Sequence, residues 1–158
     1  MSTPVANTAM PVASIYHAVD SQMYVTMGIE KQLFGINVKY VRDVLRQQKV
    51  TAIPLAPKDV SGSLNLRGRI VTVIDVRSRL GLPPREDDGK SMFVVVEVKN
   101  ELYSLKVDMV GEVLTVADAE VEKPPAHLAS TWRDVATGIH KLPSELLVIV
   151  NVQTILAL

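Results

Sequence analysis

The sequence predicts a mainly β protein: two five-stranded barrels related by an internal repeat, packed side by side on a shared core, with little helix. Three observations lead there. The 158 residues are 47% apolar but only 4% aromatic, and Val with Leu and Ile dominates, a β-branched bias that favours strands. Short apolar segments either alternate with polar residues or form solid runs bounded by turn residues, as half-buried and fully buried strands do. Finally, the chain aligns with itself in two blocks that occur in the same order.

Residues 1–20 are rich in Ala, Ser, Thr and Pro without a clear period and are expected to be a disordered tail, leaving a single domain over 21–158 made of two intertwined or adjacent barrel subdomains. From Met23, the apolar Met23, Val25, Met27 and Ile29 alternate with Tyr24, Thr26, Gly28 and Glu30, which predicts a strand. A charged turn at Glu30-Lys31 leads into a second strand, Gln32 to Val38, completing a hairpin. Lys49 to Ile53 reads as a short strand closed by Pro54, and Pro54, Pro57, Gly62 and Gly68 mark a long looped connection. The runs Ile70 to Val76, Met92 to Val98 and Leu146 to Val152 are short and β-branched, so buried strands are expected. Pro83-Pro84 and Arg85-Glu86-Asp87-Asp88-Gly89 form a solvated loop, and one or two helical turns fit Val76 to Leu80 and Val152 to Leu156.

The repeat ties these elements together. Leu33–Leu45 lies over Leu102–Leu114 without a gap, with five of thirteen positions identical and Asp43 opposite Glu112. Gly62–Leu80 then lies over Gly138–Leu156, matching Gly62 with Gly138, Leu66 with Leu142, Val76 with Val152 and Leu80 with Leu156, while Pro54 answers Pro124. Two copies of a roughly 70-residue unit follow, each offering about five strands. Five strands bury one face by curling into a small barrel, which also limits exposed edges.

Composition removes several function classes. Lys plus Arg and Asp plus Glu balance at 17 each, so no net field attracts nucleic acid or an anionic membrane. Cysteine is absent, which excludes disulfides, thiol nucleophiles and thiolate zinc sites and fits a reducing, cytosolic compartment. No apolar run approaches the ~20 residues that cross a bilayer, and the first thirty residues lack the Lys or Arg of a signal or transit peptide. His17, His127 and His140 are far apart and no metal, phosphate-loop or nucleophile-elbow motif occurs, so no enzyme activity, cofactor or metal is expected. Asp75 and Asp108, beside apolar strands, read as satisfied buried carboxylates. A small-molecule-binding or hydrolytic barrel built on them is the remote alternative.

One constellation remains: Asn65-Leu66-Arg67-Gly68, followed by Arg69 and the strand Ile70-Val-Thr-Val-Ile-Asp-Val76. Glycines on both sides permit tight turns, Asn65 can bond its own backbone and Leu66 can anchor the segment. The planar five-donor fork of Arg67 suits a carboxylate or carbonyl, within the chain or across an interface. The residues alone leave a structural loop and a binding element both open.

At this point the sequence resembles the CheW family, the coupling proteins of bacterial chemotaxis, from about Met23 to its C-terminus. The segments that carry the resemblance are Phe34-Gly-Ile with Val41-Arg-Asp-Val-Leu45, Ile53-Pro54, Gly62 with Asn65-Leu-Arg-Gly68, and Ile70-Val-Thr-Val-Ile-Asp-Val-Arg77 ending in Leu80-Gly81. Val107-Asp-Met-Val110 with Glu112-Val-Leu114, Gly138 and Leu146 to Val150 follow in the second half. The resemblance implies two SH3-like barrels and a non-catalytic adaptor between chemoreceptor cytoplasmic tips and the regulatory domain of a CheA-type histidine kinase. It assigns receptor coupling to Asn65, Leu66, Arg67 and Gly68, with Asp43 as the partner of the arginine, although the family commonly has Glu there. An apolar groove around Val41 and Val44 takes part in docking.

The resemblance further implies a cytoplasmic protein recruited to membrane-associated receptor arrays, without nucleic-acid contact or membrane insertion. In related adaptors the segment corresponding to Glu122-Lys-Pro-Pro-Ala-His127 presents a basic residue and a large apolar one to a ring neighbour; this chain departs from that pattern with Glu122 and His127, the two positions at which such a contact would fall. Thr72 stands where the family often has Pro, and Ser104 where Gly is frequent. An adaptor of a dedicated chemosensory array, governing another motility or developmental output, is the alternative within the family. The chain ends at Leu158 without a receiver or kinase module, as expected of the bare adaptor.

Overall fold

The computed structural model describes residues 20–157, so the expected tail lies outside the described residues except for Asp20. Among the described residues ten strands run in order: β1 (Ser21–Ile29), β2 (Gln32–Asn37), β3 (Val41–Leu45), β4 (Val60–Leu66), β5 (Arg69–Asp75), β6 (Met92–Val98), β7 (Glu101–Val107), β8 (Met109–Ala117), β9 (Ala136–Lys141) and β10 (Leu146–Val150). Three short helices, α1 (Val76–Arg79), α2 (Ser130–Arg133) and α3 (Val152–Ala157), join them. Asp75 begins α1 by accepting from the Ser78 N–H, and its repeat mate Asn151 does the same for Gln153 before α3.

The strands form two five-stranded sheets, β8-β1-β2-β10-β9 and β3-β6-β7-β5-β4. Exchanging every strand for its repeat mate converts one order into the other. The pairings obey the same relation: Phe34 of β2 lies beside Val148 of β10, and its mate Tyr103 of β7 lies beside Thr72 of β5, both in parallel register. Each sheet therefore joins the first two strands of one copy to the last three strands of the other. The chain crosses between sheets through the 3-10 turn Val38–Tyr40 and again through Asp108, the single residue between β7 and β8.

Both sheets are closed by the same device. After β3 the chain returns along β4, where Thr51 and Ser63 exchange two backbone hydrogen bonds of 2.8 Å. After β8, Glu122 and Ile139 do likewise at 2.8 and 2.9 Å. Inside one barrel lie Leu64, Val71, Val73 and Phe93, and inside the other Tyr24, Val116, Leu147 and Ile149. The largest apolar cluster lies between them, where Val25, Met27, Phe34 and Val148 meet Ile74, Val94, Val96 and Leu105, with Trp132 5.2 Å from the Phe34 ring. Two layers packing on one core is the ordinary means of burying both sheets.

Several sequence expectations change. Lys49 to Ile53 is no strand; only Thr51 makes a bridge. The supposed looped connection contains β4, because Gly62 is a bulge at φ 148° and Gly68 a turn residue rather than loop markers. β1 is not half-buried: Tyr24 to Ile29 are all buried, since one face fills a barrel and the other the shared core. Met23, the first apolar residue of the alternation, is exposed. The strand runs ending at Val76 and Val152 stop at Asp75 and Val150, where helical turns begin. Ser104 lies within β7, fully buried, with its hydroxyl unpaired and no positive φ.

Candidate functional site

Asn65-Leu66-Arg67-Gly68 is the hairpin between β4 and β5, with Leu66 paired to Arg69 and Asn65 to Ile70. The two turn residues Arg67 and Gly68 have φ of 51° and 85°, the left-handed values that a two-residue turn requires to match the twist of its strands. Asn65 Oδ1 accepts the Gly68 N–H at 2.9 Å, and Leu66 packs against the barrel cluster of Leu64 and Val71. The segment thus holds itself together and leaves the arginine outside. The Arg67 side chain is 79% exposed, with Nη2 donating to Asp43 Oδ2 at 3.1 Å.

Asp43 reaches that position through an irregularity in β3. Val41 pairs with Val96 of β6, whereas Asp43 pairs with Val95, so Arg42 is one residue extra. Residues paired across strands share a face. Val41 and Val44 therefore stand on the face of Val96 and Val94, toward the shared core, while Asp43 and Leu45 stand on the face of Val95 and Phe93. Val41 is partly buried against the core, and Val44, at the rim, is 40% exposed. Asp43 Oδ1 also accepts its neighbour's N–H, that of Val44, at 2.9 Å. Asp43, Arg67, Val41 and Val44 thus belong to one end of one barrel. Glu122 and His127 lie elsewhere: both are exposed, Glu122 in the closing bridge of the other barrel, 3.6 Å from the Lys141 ammonium.

A second polar cluster, which the sequence reading did not assemble, joins the two sheets. Arg77 of α1 donates to both Asp108 oxygens at 2.9 and 2.6 Å and to the Pro83 carbonyl at 3.0 Å. The Glu30 N–H, from the β1–β2 turn, donates to Asp108 Oδ2 at 2.7 Å, and Arg85 donates to the Asp108 carbonyl at 3.0 Å. Burial pushes the Asp108 carboxyl upward, but the Arg77 hydrogen bonds, the Glu30 N–H and the charges of Arg77 and Arg85 outweigh it and hold the group below its ordinary value. Arg77 is correspondingly raised by its bond to Asp108. A polar hollow of about 320 Å³ lies against Asp75, Arg77, Arg85, Lys106 and Asp108. Its carboxylates have partners within the chain: Asp108 is held by Arg77, and Asp75 caps α1. The available signal was charge beside buried strands; the pairing of residues 31 positions apart was not legible.

With this geometry established, comparison with known proteins is specific. The family model described as the CheW-like domain matches residues 23–158. The probable chemotaxis protein CheW of Rhizobium etli is 28% identical over 127 residues, covering 80% of this chain and 82% of that protein. The chemotaxis protein CheW of Bacillus subtilis is 28% identical over 123 residues, covering 78% and 79%. Among solved structures, the scaffolding protein TtCheW from Thermoanaerobacter tengcongensis superposes with a TM-score of 0.73 at 28% identity, covering 82% of this chain and 88% of that one.

Proposed function

The chain belongs to the family of CheW-like domains and is a non-catalytic scaffold of chemotaxis, and from that premise we propose that it couples chemoreceptor cytoplasmic tips to the regulatory domain of a CheA-type histidine kinase. The observation that carries this reading is the placement of Arg67. It is displayed on a rigid turn, engaged by Asp43 through one nitrogen and otherwise exposed. A guanidinium so held keeps donors for a carboxylate or carbonyl of a partner while its direction is already set. Asn65, Leu66 and Gly68 build the turn, Asp43 aims the arginine, and the exposed Val44, with the partly buried Val41, supplies apolar contact on the other face of β3.

Binding then requires little refolding, because the hairpin and β3 are already in place. Glu122 and His127, on the other barrel, are assigned to a neighbouring molecule of the array. The protein works in the cytoplasm, recruited to receptors in the membrane, and among the described residues no helix is long and apolar enough to cross one. Calorimetric titration against the kinase regulatory domain and against a soluble chemoreceptor cytoplasmic fragment tests the assignment. A saturable one-to-one isotherm with the kinase domain that survives Arg67→Ala, together with receptor binding that does not, is expected. Absence of heat and co-elution with both partners overturns it.

A further inference from the structure

The two copies of the repeat carry a bulge at the same place but hold it differently. In β8 the three steps from Val110 to Val113 face only two on β1, from Met27 to Val25, with Gly111 in the irregular stretch. There the buried Thr26 hydroxyl donates to the Glu112 carbonyl at 2.6 Å, and a Cβ on Gly111 would stand 2.7 Å from that hydroxyl. The repeat mates in the other sheet are Arg42 for Gly111, Asp43 for Glu112 and Val95 for Thr26. Val95 has no hydroxyl to give. Arg42 instead braces the bulge from outside: Nη1 donates to the Lys39 carbonyl at 2.8 Å and Nε to Glu97 Oε1 on β6 at 3.1 Å. One fork thus ties the crossing turn to the neighbouring strand at the point where β3 gains its extra residue.

That extra residue decides which way the site faces, because a one-residue change of register turns every following side chain to the opposite face. With it, Asp43 points to the Val95 side, where Arg67 is reached, while Val41 and Val44 share the other side. We infer that Arg42 is a positioning residue of the coupling site: by locking the bulge it aims Asp43 at Arg67 and sets Val44 on the docking face. Its consequence for binding rests on the receptor-coupling reading above, whereas its consequence for the Asp43–Arg67 pair does not.

The test exploits the repeat. Arg42→Ala is compared with Arg42→Lys, which keeps the charge but lacks the fork, and with Arg42→Ala/Val95→Thr, which imports the hydroxyl device of the other copy. Two readouts are taken: the Asp43–Arg67 coupling from a double-mutant cycle in equilibrium unfolding, and affinity for a soluble chemoreceptor cytoplasmic fragment. The pair should couple about two- to fivefold in the native background. In Arg42→Ala that factor falls to about one and receptor affinity falls to that of Arg67→Ala. Val95→Thr restores both, and Arg42→Lys restores neither. Should Arg42→Ala fail to fold, Glu97→Gln, which loosens only one arm of the fork, should lower the coupling part-way; unchanged coupling there rejects the inference. Retention of the full coupling in Arg42→Ala overturns it, as does a Val95→Thr rescue of melting temperature without rescue of coupling. Loss of coupling with receptor binding insensitive to Arg67→Ala would uphold the positioning role and overturn the receptor assignment.

Discussion

Arg67 and Asp43 are joined at 3.1 Å, yet the arginine side chain is 79% exposed and the carboxylate only 24%. The pair is lopsided: a carboxylate anchored on a strand steers a cation that remains in water. Such a pair adds little to stability, about 0–1 kcal/mol, because solvent screens it and two side chains lose freedom. Its value lies in direction.

Arg67→Ala should therefore change unfolding free energy by no more than about 1 kcal/mol while abolishing receptor-dependent control of the kinase. Chemical denaturation and a reconstituted receptor–kinase assay check the two halves separately. A variant that lost both together would make the arginine a structural residue.

Val41 and Val44 share a face but not an environment, and one substitution separates their roles. Val44→Lys places its ammonium at the exposed rim and should cost less than about 0.5 kcal/mol while weakening receptor-fragment binding. Val41→Lys pushes a charge against the shared core and should cost roughly 2 kcal/mol. Thermal melts with a binding titration for each variant distinguish them.

The glycines that flank the site are not equivalent. Gly62 sits at φ 148° with a would-be Cβ driven into the Thr51 carbonyl, so Gly62→Ala strikes the backbone bridge that closes the barrel. A loss of about 2–3 kcal/mol is expected. Gly68 has a positive φ but open space around it, so Gly68→Ala should cost only about 1 kcal/mol. Denaturation midpoints of the two variants give the comparison.

The clamp between sheets sets an acid limit. Asp108 is held below its ordinary carboxyl value, so its carboxylate stabilises the fold above about pH 4 and that contribution is lost as pH falls through the lowered value. Asp108→Asn should be less stable at neutral pH, by about 2 kcal/mol, since the half-buried Arg77 loses its two short bonds to a carboxylate and keeps only the longer contact with Glu30 at 3.7 Å. The difference from the native protein should close on acidification below pH 4, which melting curves between neutrality and about pH 2 would reveal.

The repeat and most of the strands were legible in one dimension. β-branched runs between turn residues located β5, β6 and β10, the alternation from Met23 located β1, and Leu33–Leu45 laid over Leu102–Leu114 announced two copies of one unit. Arg67 stood out by its own chemistry, and the family resemblance added Asp43, 24 positions away. β4 was hidden because Gly62 and Gly68, needed for a bulge and a left-handed turn, look like loop glycines in one dimension. Tertiary structure alone decided that the copies exchange strands. The apolar pattern serves exchanged and unexchanged sheets equally, and the choice falls to the connections. β8 lies beside β1 in a 3-1-2 arrangement, so returning to its own copy's sheet would carry the chain across roughly 10 Å, two strand spacings. Asp108 alone joins β7 to β8 and is too short for that reversal, so the chain runs straight on into the other sheet. The same three-dimensional fact brings Arg77 to Asp108, and the bulge at Arg42 turns Asp43 toward Arg67, because register and crossing, which no local pattern records, fix where a side chain points.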